Sequence, residues 1–122
     1  MIKEKVIGFV RVSTLKQTLS MKNQVSRIKK YTKDNKLELV DIIKEEGVSG
    51  GKINRKGFDE MLELVDNKSI DGIVCLNLSR IGRRASMTLD LINKCMDNKV
   101  FILDIQDGTD TRTAGGRMSV KI

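Results

Sequence analysis

The chain has 122 residues, enough for one hydrophobic core but not for two. With 39% hydrophobic and 32% charged residues it has the balance of a soluble globular protein, and its formal charge of +7 calls for an acidic partner, of which nucleic acid is the commonest. Aromatic residues reach only 3%, which argues against a stacking platform for single-stranded bases and favours duplex backbone, and the absence of histidine removes the usual general base and metal ligand.

In chain order, Val6 to Val12 is an apolar run of strand length, as in a strand covered on both faces. It closes on Arg11-Val12-Ser13-Thr14, which sets a hydroxyl two residues from a permanent cation. From Ser20, the positions Met21, Val25, Ile28 and the Tyr31/Thr32 pair recur at helical spacing, with Lys22, Arg27, Lys29, Lys30 and Lys33 on the outer surface. Leu37 to Ile43 reads as a second strand running into Lys44-Glu45-Glu46. Gly47 to Asn54 is a glycine-rich loop, and Asn54 caps a helix whose face carries Phe58, Met61, Leu62 and Val65.

Ile70 to Leu78 reads as a third strand, followed by Ser79-Arg80-Ile81-Gly82-Arg83-Arg84. Ser86 suits the N-cap of a helix that buries Thr88, Leu91, Ile92 and Cys95, and Val100 to Ile105 supplies a fourth strand. No internal repeat stands out. After Asp107-Gly108-Thr109-Asp110-Thr111 the chain turns basic and small, and Met118 to Ile122 reads as the first turns of a further helix. The chain is expected to be part of something longer.

Strands alternating with helices make an α/β fold, a mostly parallel sheet of about four strands with helices on both faces and right-handed crossovers. Ligands of such sheets bind beyond the carboxyl ends of the strands. There the pattern collects Ser13 and Arg11, Glu45 and Glu46, Ser79, Arg80 and Arg83, and Asp104 to Asp107. A serine hydroxyl facing several guanidiniums is a place for a phosphodiester. Arginine stays charged and matches phosphate bidentately, lowering the cost of an alkoxide and of charge on phosphoryl oxygens. The same permanence makes arginine a poor base, so the proton acceptor is unassigned.

Cys75 and Cys95 fall in different elements at a spacing unsuited to zinc and read as small buried hydrophobes of a reducing, cytoplasmic compartment. No stretch has the length and apolarity of a membrane span, and the opening residues do not make a secretory signal.

Each feature also has a plain structural reading. Ser13 alone would be a cap, the arginines after the third strand a solvated face, and Glu45 and Glu46 surface charges flanking a loop. Asp104, Asp107 and Asp110 could hold a metal but also suit turns. Gly47 to Gly51 lacks the spacing of a phosphate-binding P-loop. The co-location carries the argument.

The block Gly8-Phe9-Val10-Arg11-Val12-Ser13-Thr14, followed by Gln17 and Gln24, resembles the opening of the serine recombinases, the resolvase and invertase family. Gly47-Val48-Ser49-Gly50, Asn54-Arg55-Lys56-Gly57-Phe58, Leu78-Ser79-Arg80-Ile81-Gly82-Arg83 and Asp107-Gly108 follow in the family's order. The resemblance covers nearly all of residues 1–122 and implies a resolvase-like catalytic domain. It makes Ser13 the nucleophile that attacks a DNA phosphodiester, leaving a 5′-phosphoserine link and a free 3′-hydroxyl. Arg11, Arg80 and Arg83 match arginines that grip the scissile phosphate, and Arg55 matches another. Gln24 matches a supporting polar residue and Ser49 a loop position, with Gln17 and Asp107 as further supporting positions.

By the same resemblance neither metal nor nucleotide is required, the partner is double-stranded DNA, and the full-length protein forms dimers that pair into a tetramer. Two departures stand out. Many members carry aspartate where this chain has Ser79, removing a candidate carboxylate base; members with long C-terminal regions can carry serine there. The chain also stops near the start of the long dimerisation helix, so by itself it is expected to be a monomer or weak dimer with little activity. Readings from other classes are a non-catalytic DNA-binding module and a magnesium-dependent phosphoryl-transfer enzyme using Asp104 and Asp107.

Overall fold

The computed structural model describes residues 3–12, 18–46, 56–78, 81 and 85–113. Their elements run β1 (Lys5–Val12), α1 (Thr18–Asp34), β2 (Glu38–Glu46), α2 (Lys56–Asp66), β3 (Gly72–Cys75), α3 (Ala85–Asp97), β4 (Phe101–Asp104) and β5 (Thr109–Asp110). The sheet has five strands in the order β2-β1-β3-β4-β5, all parallel except for the short antiparallel β5. The α/β expectation with helices on both faces holds, with one strand more than expected.

Strand β1 divides two cores by its period of two. Ile7 and Phe9 join the buried cluster built with Phe58, Met61, Leu91 and Cys95 from α2 and α3. Val6 and Val10 join the opposite cluster with Met21 and Ile28 of α1. Gly8, on the α1 side, lets that helix sit close: a Cβ there would lie 2.9 Å from Ile28 Cγ2. The chain leaves β1 for β2 in one direction and β3 for β4 in the other, so right-handed crossovers place α1 on one face and α2 with α3 on the other. The strand order therefore reverses between β1 and β3.

All three helices among the described residues end in one tripeptide, Asp-Asn-Lys, at 34–36, 66–68 and 97–99. In each, the lysine takes the left-handed conformation, with φ of 56°, 54° and 59° at Lys36, Lys68 and Lys99. Paired bonds close each end: Leu37 N to Thr32 O and Lys36 N to Lys33 O, Ser69 N to Leu64 O and Lys68 N to Val65 O, Val100 N to Cys95 O and Lys99 N to Met96 O. This is the Schellman arrangement, usually built on glycine. Asn35 Nδ2 and Asn98 Nδ2 donate to the carbonyls of Tyr31 at 2.8 Å and Lys94 at 2.9 Å. A repeated stop signal is thus present in a chain whose sequence has no internal repeat longer than this.

Several boundaries move. β2 runs on through Lys44 and the two glutamates, whereas β3 and β4 are shorter than their apolar runs. The carbonyls of Cys75 and Leu76 still accept from Ile105 N and Gln106 N at 2.9 Å, continuing the pairing just past the strands. Ser86 is inside α3 rather than capping it. Asn54, the expected cap of α2, falls outside the described residues. At the opposite end of the sheet, a Cβ at Gly72 would run into the Phe101 ring. Arg112 covers that ring with its guanidinium, 4.6 Å from the centroid.

Candidate functional site

The carboxyl ends of β1 and β3 are the switch point where a doubly wound sheet opens a crevice. A pocket of about 310 Å³ lies there. Its apolar side is Phe9, Cys75, Leu76 and Ile81. Its polar side is Arg11 from β1, Asn23, Gln24 and Arg27 from α1, Asn77 after β3 and Gln106 after β4. Arg11 is half-buried, with its Nε shielded from solvent. Gln24 and Arg27 stand one helical turn apart, so one face of α1 presents both. On the β3–β4 side of the crevice, Asn77 Nδ2 donates to Gln106 Oε1 at 3.4 Å.

Two buried carboxylates stand at the rim. Glu45, read from sequence as a surface charge, is 4% exposed. Its Oε1 accepts the N–H of Phe58 at 3.2 Å, satisfying one of the open amides in the first turn of α2 and placing a negative group at the positive end of that helix. The sequence reading failed here because β2 continues past Ile43 and carries Glu45 under α2. Asp104 is 3% exposed. Its Oδ2 accepts from Leu78 N at 2.9 Å and its Oδ1 from Asp107 N at 3.0 Å. Both oxygens thus serve the backbone, which counts against Asp104 as a magnesium ligand. No group of potential metal ligands occurs among the described residues.

Cys75 reaches the pocket but is no nucleophile. Burial is the main cause that pushes its thiol pKa well up, and the neighbouring Asp104 carboxylate adds to it. Its Sγ donates to the Leu103 carbonyl at 3.6 Å. The neutral thiol is the poor nucleophile of the pair.

Of the residues singled out from sequence, Arg11 and Gln24 meet in this pocket. Asp107 is exposed and does not line it; its backbone is what the turn uses. Ser13, Gln17, Ser49, Arg55, Ser79, Arg80 and Arg83 lie outside the described residues. Sequence reasoning missed Asn23, Asn77 and Gln106; Arg27 is exposed, as expected for the outer surface, but it also lines the pocket. Arg27 could have been found from its spacing of three to Gln24. Asn77 was hidden inside a strand drawn too long, and Gln106, just past the fourth strand in the Asp104 to Asp107 segment, was passed over between two carboxylates.

No described helix is long and apolar enough to cross a membrane. The family model described as Resolvase, N terminal domain matches residues 6–122. The transposon Tn917 resolvase of Enterococcus faecalis is 30% identical over 117 residues, covering 96% of this chain and 58% of that protein. The DNA-invertase hin of Salmonella typhimurium is 32% identical over 111 residues, covering 91% of this chain. The chain spans 53% of that invertase, so it corresponds to little more than half of each relative.

Among solved structures, the N-terminal catalytic domain of TP901-1 integrase superposes with a TM-score of 0.80 at 27% identity, covering 94% of this chain and 87% of that one. A resolvase family site-specific recombinase from Streptococcus pneumoniae gives a TM-score of 0.81 at 29% identity, with 97% of this chain and 83% of that one covered. The ordered sequence blocks, the sheet order with its crevice between β1 and β3, and a family match over residues 6–122 agree: this chain belongs to the resolvase family, in its N-terminal domain.

Proposed function

We propose that the protein carrying this chain is a site-specific DNA recombinase and that Ser13 is its nucleophile. The observation that carries the reading is the crevice beyond β1, where Arg11 and Gln24 line one polar pocket and Ser13 follows two residues after Arg11 in sequence. The Ser13 Oγ–P bond forms as the P–O3′ bond breaks, and the proton lost by the hydroxyl ends on the departing 3′ oxygen. The product is a 5′-phosphoserine link with a free 3′-hydroxyl. The reverse attack by a 3′-hydroxyl on the same phosphorus reseals the strand and restores serine, so no external energy source enters.

Arg11, Arg80, Arg83 and Arg55 are assigned to the scissile phosphate, where removing one such donor costs about a hundredfold or more in rate. Gln24 supports Arg11 in the pocket, with Gln17 and Ser49 as further supporting positions. Asp107 contributes through its backbone and not as a pocket side chain. Ser79 supplies no carboxylate, so the base stays unassigned. The substrate is duplex DNA, the working assembly a dimer pairing into a tetramer, and the compartment the cytoplasm.

The test is covalent adduct formation on recombination-site DNA by the intact protein and its Ser13→Ala variant, in chelator. Wild type is expected to give a protein–DNA adduct whose linked peptide contains Ser13, and the variant none while still binding duplex. Adducts that persist in the variant would remove Ser13 as nucleophile. Duplex binding with no adduct from wild type would favour a non-catalytic DNA-binding module, and activity lost in chelator would favour metal chemistry.

A further inference from the structure

We infer that Asp104 is a positioning residue for this pocket, its single buried carboxylate locking together the two loop walls that β3 and β4 send past their ends. The inference rests on the recombinase reading and deepens it. The pairing between these strands continues for two bonds beyond β4, from Ile105 N to Cys75 O and from Gln106 N to Leu76 O. There the backbones part, and the Asp104 side chain takes over. Its Oδ2 holds Leu78 N at 2.9 Å and its Oδ1 holds Asp107 N at 3.0 Å.

The consequence falls on the β3–β4 side of the crevice. Leu78 N is fixed directly after Asn77, and Asp107 N directly after Gln106. These are the two pocket-lining residues whose side chains bond to each other. Leu78 and Ile81 are both buried, and Ile81 N donates to Leu78 O at 3.2 Å. The chain is therefore anchored on either side of Ser79 and Arg80.

Carboxylate chemistry suits the task. Two N–H donors converge on the group, and only an ionised carboxyl offers an acceptor oxygen to each without a competing donor. Burial in low dielectric makes both bonds matter, since a donor left without its partner there is costly. Asparagine has nearly the same shape but would turn an N–H towards one of the two amides. Asp104→Asn therefore releases one wall and leaves the core intact.

The experiment compares Asp104→Asn with Val65→Ala, a core truncation in α2 away from the pocket, in the intact protein. Hydrogen exchange reads the Leu78 and Asp107 amides. Single-turnover adduct formation, normalised to the folded fraction, reads chemistry, and duplex affinity is read separately. The expected result for Asp104→Asn is lost protection at one or both amides. The adduct rate should fall by about ten- to a hundredfold, the loss expected from small misplacement, with affinity changed little. Val65→Ala should lower stability without moving the rate per folded molecule.

Unchanged protection in Asp104→Asn overturns the inference, as does lost protection with an unchanged rate. An equal rate loss in Val65→Ala reduces Asp104 to a stability role and also overturns it. A wild-type protein that makes no adduct removes the recombinase reading and the inference with it. That outcome is distinct from an active wild type with an unaffected variant.

Discussion

The carboxylate of Glu45, at the end of β2, accepts the backbone N–H of Phe58 in the first turn of α2 at 3.2 Å. This bond fixes the start of the helix that follows Arg55 to the rigid edge of the sheet. Glu45→Ala is expected to lower unfolding free energy by about 1–3 kcal/mol, the cost of leaving a buried amide without its acceptor. Glu45→Gln keeps an acceptor oxygen and should lose less. Urea denaturation reads both, and equal losses would mean that the charge matters rather than the acceptor.

The lysines that end the three helices hold a backbone conformation that glycine adopts without steric cost. Replacing Lys36, Lys68 or Lys99 by glycine removes a left-handed strain of about 1–2 kcal/mol and adds unfolded-chain entropy of about half that. Each change should raise stability by roughly 0.5–1 kcal/mol. Alanine at the same positions should give no gain. A fall in the urea midpoint for all three glycine variants would contradict this.

Arg27 faces the pocket from α1 with no ion-pair partner among the described residues. If the crevice receives a DNA backbone, Arg27→Glu should weaken duplex binding most at low salt. The slope of log affinity against log salt should become shallower by about one counterion. Lys33→Glu, at the far end of the same helix, should do less. Titrations at several salt concentrations separate the two.

Arg112 donates to Asp110 at 2.8 Å and to Glu4 at 3.2 Å, with its guanidinium over Phe101. The side-chain hydrogen bond from Arg112 is the largest cause holding the Asp110 carboxyl below its ordinary pKa. The folded state keeps this group ionised where the unfolded chain would protonate it. Its stabilisation is full above the ordinary aspartate value and is lost as pH falls through the lower folded one. Arg112→Ala should flatten the acid side of the stability–pH curve below about pH 4, leaving neutral and alkaline behaviour alike. The effect should be modest, because both side chains are partly in water.

Burial pushes the Cys95 thiol up to about 12 and raises that of Cys75 as well. Both should resist alkylation in the native protein at neutral pH and react fully in denaturant. As pH rises past the ordinary cysteine value the unfolded chain ionises first, so stability should fall there, and Cys95→Ala should lessen that fall. Rapid native labelling of either thiol would contradict their placement.

The apolar runs from Val6 and from Val100 and the helical spacing of Met21, Val25 and Ile28 were legible because hydrophobic periodicity is a local signal. The ordered blocks around Arg11, Gln24 and Asp107-Gly108 were legible for a similar reason, each being a short contiguous string. The helix stops could have been read too, since Asp-Asn-Lys occurs at each one. Lysine at the left-handed position disguised them, where glycine would have announced them.

Element kinds, their order, the parallel α/β class and the candidate nucleophile with its nearest arginine follow from sequence alone, because each rests on neighbours along the chain. The tertiary structure decided the ends of β2, β3 and β4 and the added β5. It also decided the burial of Glu45 and Asp104 and the meeting of Asn23, Arg27, Asn77 and Gln106 in one crevice. The physical reason is distance in sequence. Glu45 finds its donor 13 residues away and Asp104 finds one 26 residues away, and a carboxylate is a solvated charge or a buried clamp only once those donors arrive.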